Sequence, residues 1–180
     1  VAVIGGGNVA MDSARTAKRL GADEVVVVYR RAEEQMPARD EEIEHAKEEG
    51  IKFRLLNNPV AFHGEEGELT QMECIEMELG EKDDSGRRRP IPVEDSNWML
   101  DVDVAIVAIG QSPNPVLTSN TEGLDTKSWG GIIVNEDMET TREGVFAGGD
   151  VVTGAATVIK AMGAGKKAAQ NMKEYINSLK

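Results

Sequence analysis

The feature that most narrows how this chain can fold is its opening run, Val1-Ala2-Val3-Ile4-Gly5-Gly6-Gly7-Asn8-Val9-Ala10. An apolar stretch runs without interruption into three glycines and then into a segment rich in small residues. The spacing Gly5-x-Gly7-x-x-Ala10 fits a strand, a tight turn and a helix start. The first glycine permits the turn, the second lets a pyrophosphate approach the backbone, and the small third residue lets helix and strand pack closely. Amides around Asn8 and Val9 would then face the phosphates at the positive end of a helix dipole. We therefore read the stretch as a dinucleotide site, with Gly5, Gly7, Asn8, Val9 and Ala10 as its cofactor-binding residues.

The following residues support that reading. Val9, Ala10, Ala14, Ala17 and Leu20 share one helical face, and Gly21 is placed to end the helix. Val25-Val26-Val27-Val28-Tyr29 is a continuous β-branched run of the kind buried on both faces of a parallel sheet, which completes a βαβ unit. Where an NAD site usually carries an acidic residue to bond the ribose, this chain has Arg30-Arg31. Two guanidiniums suit a 2′-phosphate, so the expected cofactor is NADP(H). The competing reading is a solvated basic pair preceding Glu33 and Glu34.

Farther along, Asp40 to Glu49 reads as a short acidic helix and Ile51 to Leu56 as a third strand. The alternations Val60-x-Phe62 and Ile75-x-Met77-x-Leu79, broken by Gly64-Glu65-Glu66-Gly67, suggest antiparallel ribbon laid over the parallel sheet. Asp83-Asp84-Ser85-Gly86 reads as a turn, and Arg87-Arg88-Arg89 as a solvated ribbon tip, with partner contact as the other option. Asp103 to Gly110 is a further buried strand, after which Pro113 and Pro115 should stop regular structure. Short strands are expected at Ile132-Ile133-Val134 and from Gly144 to Asp150, and a long helix from Ala155 to Leu179.

The 180 residues allow one well-buried domain plus part of another. A formal net charge of −12 argues against nucleic acid and anionic membrane surfaces as partners. Charge is screened beyond roughly 8 Å at physiological salt, so local arginines decide whether an anionic cofactor binds. The single cysteine, Cys74, excludes an intrachain disulfide, and no C-x-x-C or other metal-ligand spacing occurs, so we expect a reducing, cytoplasmic setting and no metal. No stretch approaches a membrane span of about 20 apolar residues. The start at Val1, inside a strand and without Met, leads us to expect a piece of a longer protein.

Several segments together resemble a known family: Gly5 to Asp12, Val28-Tyr29-Arg30-Arg31, Met36-Pro37-Ala38, Ser85 to Pro90, Ala108 to Asn114 and Val145 to Asp150. The chain resembles the small (β) subunit of NADPH-dependent glutamate synthase and its relatives, which include matching parts of dihydropyrimidine dehydrogenase and ferredoxin:NADP transhydrogenases. The resemblance implies an NADPH domain inserted in an FAD domain. Residues 1–143 would be the NADPH-binding domain, a Rossmann-like three-layer unit with a parallel sheet, helices on one side and antiparallel ribbon on the other. Residues 144–180 would be the returning strand-helix piece of an incomplete FAD domain. It further implies Gly149 and Asp150 near the FAD ribityl and pyrophosphate groups, the helix start at Thr157-Val158 facing the flavin ring, and Ala108-Ile109-Gly110 at the connection between domains near the cofactors. The family's FAD glycine turn and any iron–sulfur cysteines before it are not in this sequence. The expectation is that the fragment alone is inactive, and that its C-terminal strand and helix pack on another chain, as in a homo-oligomer, or on the NADPH domain.

The chemistry implied is hydride transfer from NADPH to FAD, with electrons passing to a partner subunit or iron–sulfur segment. No acid, base or nucleophile is therefore assigned. His45 and His63 lack a partner Ser, Cys or Asp at useful spacing, and Cys74 reads as a small buried hydrophobe. The lack of C-x-x-C argues against a thioredoxin reductase. Two other readings stay open: a non-catalytic NADP(H)-binding or assembly module, and a single-domain dehydrogenase, although no Ser-Tyr-Lys set follows the glycine turn.

Overall fold

The computed structural model describes residues 1–82 and 86–180, so the turn expected at Asp83-Asp84-Ser85-Gly86 lies, but for Gly86, outside the described residues. Its chain forms two compact units, Val1–Gly110 and Gln111–Lys180. The boundary expected at residues 143 and 144 falls inside the second unit.

The first unit is built on four parallel strands in the order β3-β2-β1-β8: β1 (Ala2–Ile4), β2 (Val26–Tyr29), β3 (Lys52–Leu55) and β8 (Ala105–Val107). Helix α1 (Asn8–Arg19) crosses from β1 to β2, and α2 (Asp40–Glu48) from β2 to β3. Side-chain alternation sorts the central strands between two cores. Val3, Val25, Val27 and Tyr29 meet Ala10, Met11 and Ala14 of α1 and Ile43 and Ala46 of α2. Ala2, Ile4, Val26 and Val28 turn the other way, onto Met72, Cys74 and Val102. That second layer is antiparallel: β4 (Asn57–Glu65), β5 (Glu68–Lys82), β6 (Arg88–Pro92) and β7 (Trp98–Asp101). The N-terminal part of β5 pairs with β4 and β7, and its C-terminal part with β6. The unit is thus a three-layer α/β fold with helices on one face of the parallel sheet and ribbon on the other.

Local chemistry explains the element ends. Gly21, at φ +101°, ends α1 by donating to the Lys18 carbonyl while Ala22 donates to Ala17, a backbone path that glycine adopts without strain. The β4–β5 hairpin turns through Glu66 and Gly67, both at positive φ (52° and 90°), which matches the right-handed twist of its strands.

In the second unit, regular structure is helical. Asn114 caps α3 (Pro115–Ser119) by accepting from the Val116 amide at 3.0 Å, and Pro115 occupies a first-turn position where its missing N–H is harmless. Pro113 lies in irregular structure as expected, whereas Pro115, also expected to stop regular structure, starts a helix. The strands expected at Ile132–Val134 and Gly144–Asp150 are reduced to isolated bridges, Thr126–Ile132, Val134–Thr140 and Glu139–Phe146. Helix α4 (Asp150–Thr153) follows, and α5 (Val158–Ser178) is the expected long helix. Phe146 meets Tyr175 of α5 edge to face at 5.9 Å. Among the described residues no helix is long and apolar enough to cross a membrane, and no group of three or more His, Cys, Asp or Glu is arranged to hold a metal.

Candidate functional site

A cleft of about 640 Å³ opens at the carboxyl ends of β1, β2 and β8. In an open parallel sheet this is where ligands bind. Gly5, Gly6, Gly7, Asn8 and Val9 form its floor, Arg30 and Pro37 one wall, Asn57, Asn58, Pro59, Phe62 and Arg87 the ribbon wall, and Val107 to Gly110 the far side.

The three glycines do different work. Gly5 sits at φ +142°, and a Cβ there would lie 2.3 Å from the Ala108 carbonyl oxygen, so the turn cannot accept a side chain. A Cβ on Gly6 would lie 2.7 Å from the Tyr29 ring. Gly7 is different: the nearest protein atom to its Cβ position would be Pro37 Cγ at 3.8 Å. The protein's own packing does not require glycine at 7, whereas a bound group pressed onto the backbone would. Gly7 is also the N-cap of α1 and supplies no capping side chain, and the first turn of α1 carries no acidic residue. The first amides of a helix lack intrahelical acceptors, so they remain available to an anion. Ala10 lies beneath, fully buried, where its small side chain permits the close helix–strand approach.

The Asn8 side chain has a second role beside its backbone amide. Its side-chain oxygen accepts from the Arg39 amide at 2.9 Å, and Ala38 donates to the Gly6 carbonyl at 3.0 Å. The glycine turn is thereby tied to the Met36-Pro37-Ala38 loop, which places Pro37 in the wall. Tyr29 braces the same corner by donating its hydroxyl to the Gln35 carbonyl at 2.7 Å. On the ribbon side, Trp98 Nε1 donates to Asn57 Oδ1 at 2.7 Å, which fixes Asn57 at the cleft.

The two arginines separate. Arg30 is exposed and lines the cleft. Arg31 is 5% exposed, does not line the cleft, and donates from Nε to the Arg88 carbonyl of the ribbon at 2.8 Å. Arg87, read from the sequence as part of a solvated tip, is half-buried and lines the cleft. The structure therefore brings together Gly5, Gly7, Asn8, Val9, Arg30 and Gly110, with Ala10 as support. Sequence reasoning read Tyr29 only as the end of a strand, and it missed Pro37, Asn57, Phe62 and Arg87 as cleft residues because the loop and the ribbon that carry these four reach the site only through tertiary contacts.

These features, a βαβ glycine turn under a basic rim with a ribbon over the sheet, coincide with a match along residues 1–165 to the pyridine nucleotide-disulphide oxidoreductase family. The chain belongs to that family. Its relatives include the NADP(+)-dependent formate dehydrogenase subunit beta of Moorella thermoacetica, 45% identical over 98% of this chain and 25% of the relative. The glutamate synthase [NADPH] small chain of Halomonas elongata is 36% identical over 98% of this chain and 38% of its own length. The chain thus spans between a quarter and two fifths of these relatives. Among solved structures, Lactococcus lactis thioredoxin reductase superposes with a TM-score of 0.78 at 23% identity, covering 98% of this chain and 52% of that one. Mycobacterium tuberculosis FprA in complex with NADPH gives 0.70 at 20%, covering 99% and 52%. The likeness to thioredoxin reductase is one of fold, since Cys74 is the sole cysteine of this sequence. It is fully buried, and burial first, then the Glu73 charge, push its thiol up to about 11. His45 and His63 both lie at the surface, His63 Nε2 at 3.5 Å from Glu73 Oε2.

The remaining residues of interest belong to the second unit. Gly149, at φ +86°, sits against Ala161 in the first turns of α5, and a Cβ on Gly148 would lie 2.9 Å from the Ala164 carbonyl oxygen. This close approach sets Asp150 at the exposed start of α4. Thr157 caps α5 by accepting from the Lys160 amide at 3.4 Å, and Val158 is 76% exposed beside it.

Proposed function

We propose that this chain is the NADPH-binding portion of a flavin-dependent oxidoreductase similar to the glutamate synthase small chain. The observation that carries the reading is Gly7: neither a neighbouring atom nor its backbone angle requires glycine there, yet it stands at the open N-terminus of α1, in a cleft that an exposed arginine at the end of β2 also lines. The pyrophosphate would rest on the Gly7, Asn8 and Val9 backbone, and Arg30 would hold the 2′-phosphate with charge-assisted hydrogen bonds. Gly110 and Ala108, across the cleft, would border the nicotinamide end. When bound, the dinucleotide supplies a hydride and the flavin accepts it; the protein's share is position and electrostatics. The relatives named for NADPH or NADP(+) chemistry support this choice of cofactor.

On this reading residues 1–143 make the NADPH domain, and 144–180 return to an FAD domain. Gly149 against α5, the exposed Asp150 and the capped helix start at Thr157 and Val158 fit the edge of a flavin site. Several relatives are named as beta or small chains, which supports a partner subunit; the proposal adds that electrons pass onward to it or to an iron–sulfur centre, in the cytoplasm, in the parent protein and not in this portion alone.

The test is a fluorescence titration with NADPH and NADH on the wild type and on Arg30→Ala. The expected result is micromolar NADPH binding with a strong preference over NADH, and loss of that preference in the variant. Equal, weak binding of both nucleotides, unchanged by the substitution, would overturn the proposal.

A further inference from the structure

The cleft takes its cations from two different layers of the fold. Arg30 comes from the end of β2, and Arg87 from the ribbon, immediately before β6. What relates them is the partly buried hydrogen bond from Arg31 Nε to the Arg88 carbonyl, 2.8 Å across 57 residues of sequence. Because Arg31 follows Arg30 and Arg88 follows Arg87, this bond holds the two cleft arginines on neighbouring stretches of backbone. The side chain of Arg88 is turned into the ribbon, where it donates to the Gly80 carbonyl at 2.9 Å and to Leu79 at 2.6 Å. Arg89 is exposed and does not line the cleft. The three consecutive arginines therefore have three separate placements, and one of them, Arg87, lines the cleft that the glycine turn also lines.

The geometry points to Arg87 as the second cation of the 2′-phosphate pocket, and to Arg31 as the positioning residue that keeps it there. The inference rests on the NADPH reading above and revises which arginines carry it. A phosphate monoester presents a charge near −2 and three acceptor oxygens at neutral pH. One guanidinium satisfies two of those oxygens at most in the bidentate geometry, so a second fork from another direction completes the site. The fold offers Arg87 from the ribbon, since Arg87 lines the cleft and Arg31 does not. In a chain of net charge −12, the cleft is lined by two guanidiniums, Arg30 and Arg87, and by no carboxylate among the described residues.

The experiment measures dissociation constants of the full chain for NADPH, NADH, 2′,5′-ADP and 5′-AMP, in the wild type and in Arg87→Gln, Arg89→Gln, Arg31→Gln and Arg31→Lys. Arg87→Gln is expected to weaken NADPH and 2′,5′-ADP by about tenfold or more while leaving NADH and 5′-AMP unchanged. Arg89→Gln removes the same charge from the ribbon and is expected to change all four constants little. Arg31→Gln is expected to lose the same phosphate preference, with Arg31→Lys restoring part of it. A purely structural role of Arg31 would instead weaken NADH and NADPH alike and would overturn the positioning role. A wild type that prefers NADPH through Arg30, with Arg87→Gln indistinguishable from it, overturns this inference and leaves the proposed function standing. A wild type that binds neither dinucleotide overturns both.

Discussion

Gly5 and Gly7 are equivalent letters in the glycine pattern but stand in opposite surroundings. At Gly5 both the backbone angle and the Ala108 carbonyl exclude a side chain. Gly5→Ala is therefore expected to destabilise the chain by upwards of about 3 kcal/mol, measured by chemical denaturation, because strain and a backbone clash add. At Gly7 the backbone lies at φ −94° and ψ 176°, open to any residue, and the added methyl would meet only Pro37 Cγ at 3.8 Å. Gly7→Ala should leave stability within about 0.5 kcal/mol of wild type. Its NADPH affinity should fall about tenfold or more, since the methyl occupies the space the pyrophosphate needs. A Gly7→Ala protein that binds NADPH normally would show that the ligand does not approach this backbone.

At the scale of elements, α1 and α2 are joined by a cluster in which Arg15 pairs with Glu42 at 2.7 Å and with Glu49 at 3.0 Å, while Arg19 also reaches Glu49. Hydrogen bonds from Arg19 and then Arg15 hold the Glu49 carboxyl down to about 2, against an ordinary 4.5. A carboxylate depressed on folding contributes stability that is present above its unfolded value and is lost as pH falls through the folded one. The stability advantage of wild type over Glu49→Gln should thus be full at about pH 5 and vanish toward about pH 2, as followed by thermal melts across that range. A gap independent of pH would exclude this role for Glu49. The same scale shows what the sequence could and could not reveal. The β1-α1-β2 unit was legible because its signals are local: an apolar run, a glycine turn, a helical face and a β-branched run. Ile132–Val134 has the composition of a strand, yet it finds one bridge on each side, and pairing is a property of neighbours that no local pattern contains. Pro113 and Pro115 were read as breakers, but Asn114 between them supplied a cap and made Pro115 a helix start. In the site, the glycine turn and Arg30 were legible for the same local reasons. The separation of Arg31 from Arg30, and the arrival of Arg87, depend on a contact spanning 57 residues.

For the molecule as a whole, the second unit presents an apolar stripe on α5, with Val158 76%, Ile159 82% and Met162 56% exposed. Under the proposed division this face belongs against the rest of an FAD domain, and an uncovered stripe of this kind drives association. The chain studied alone is expected to sediment as a dimer or larger species, more so as salt screens its net charge of −12. Ile159→Asp should shift it toward monomer. A monomeric mass for wild type at all salt concentrations would argue against an adhesive face.

The bond between Arg31 and the Arg88 carbonyl also bears on attempts to retune this protein. Cofactor preference is commonly treated as portable with the strand-turn-helix cassette and the residues at the end of its second strand. On the proposed reading the recognition surface is shared by two layers, the end of β2 and the ribbon, so grafting residues 1–31 into another scaffold would carry half of it. A chimera intended to transfer or reverse the preference has to move the ribbon with the cassette, as one inheritable block.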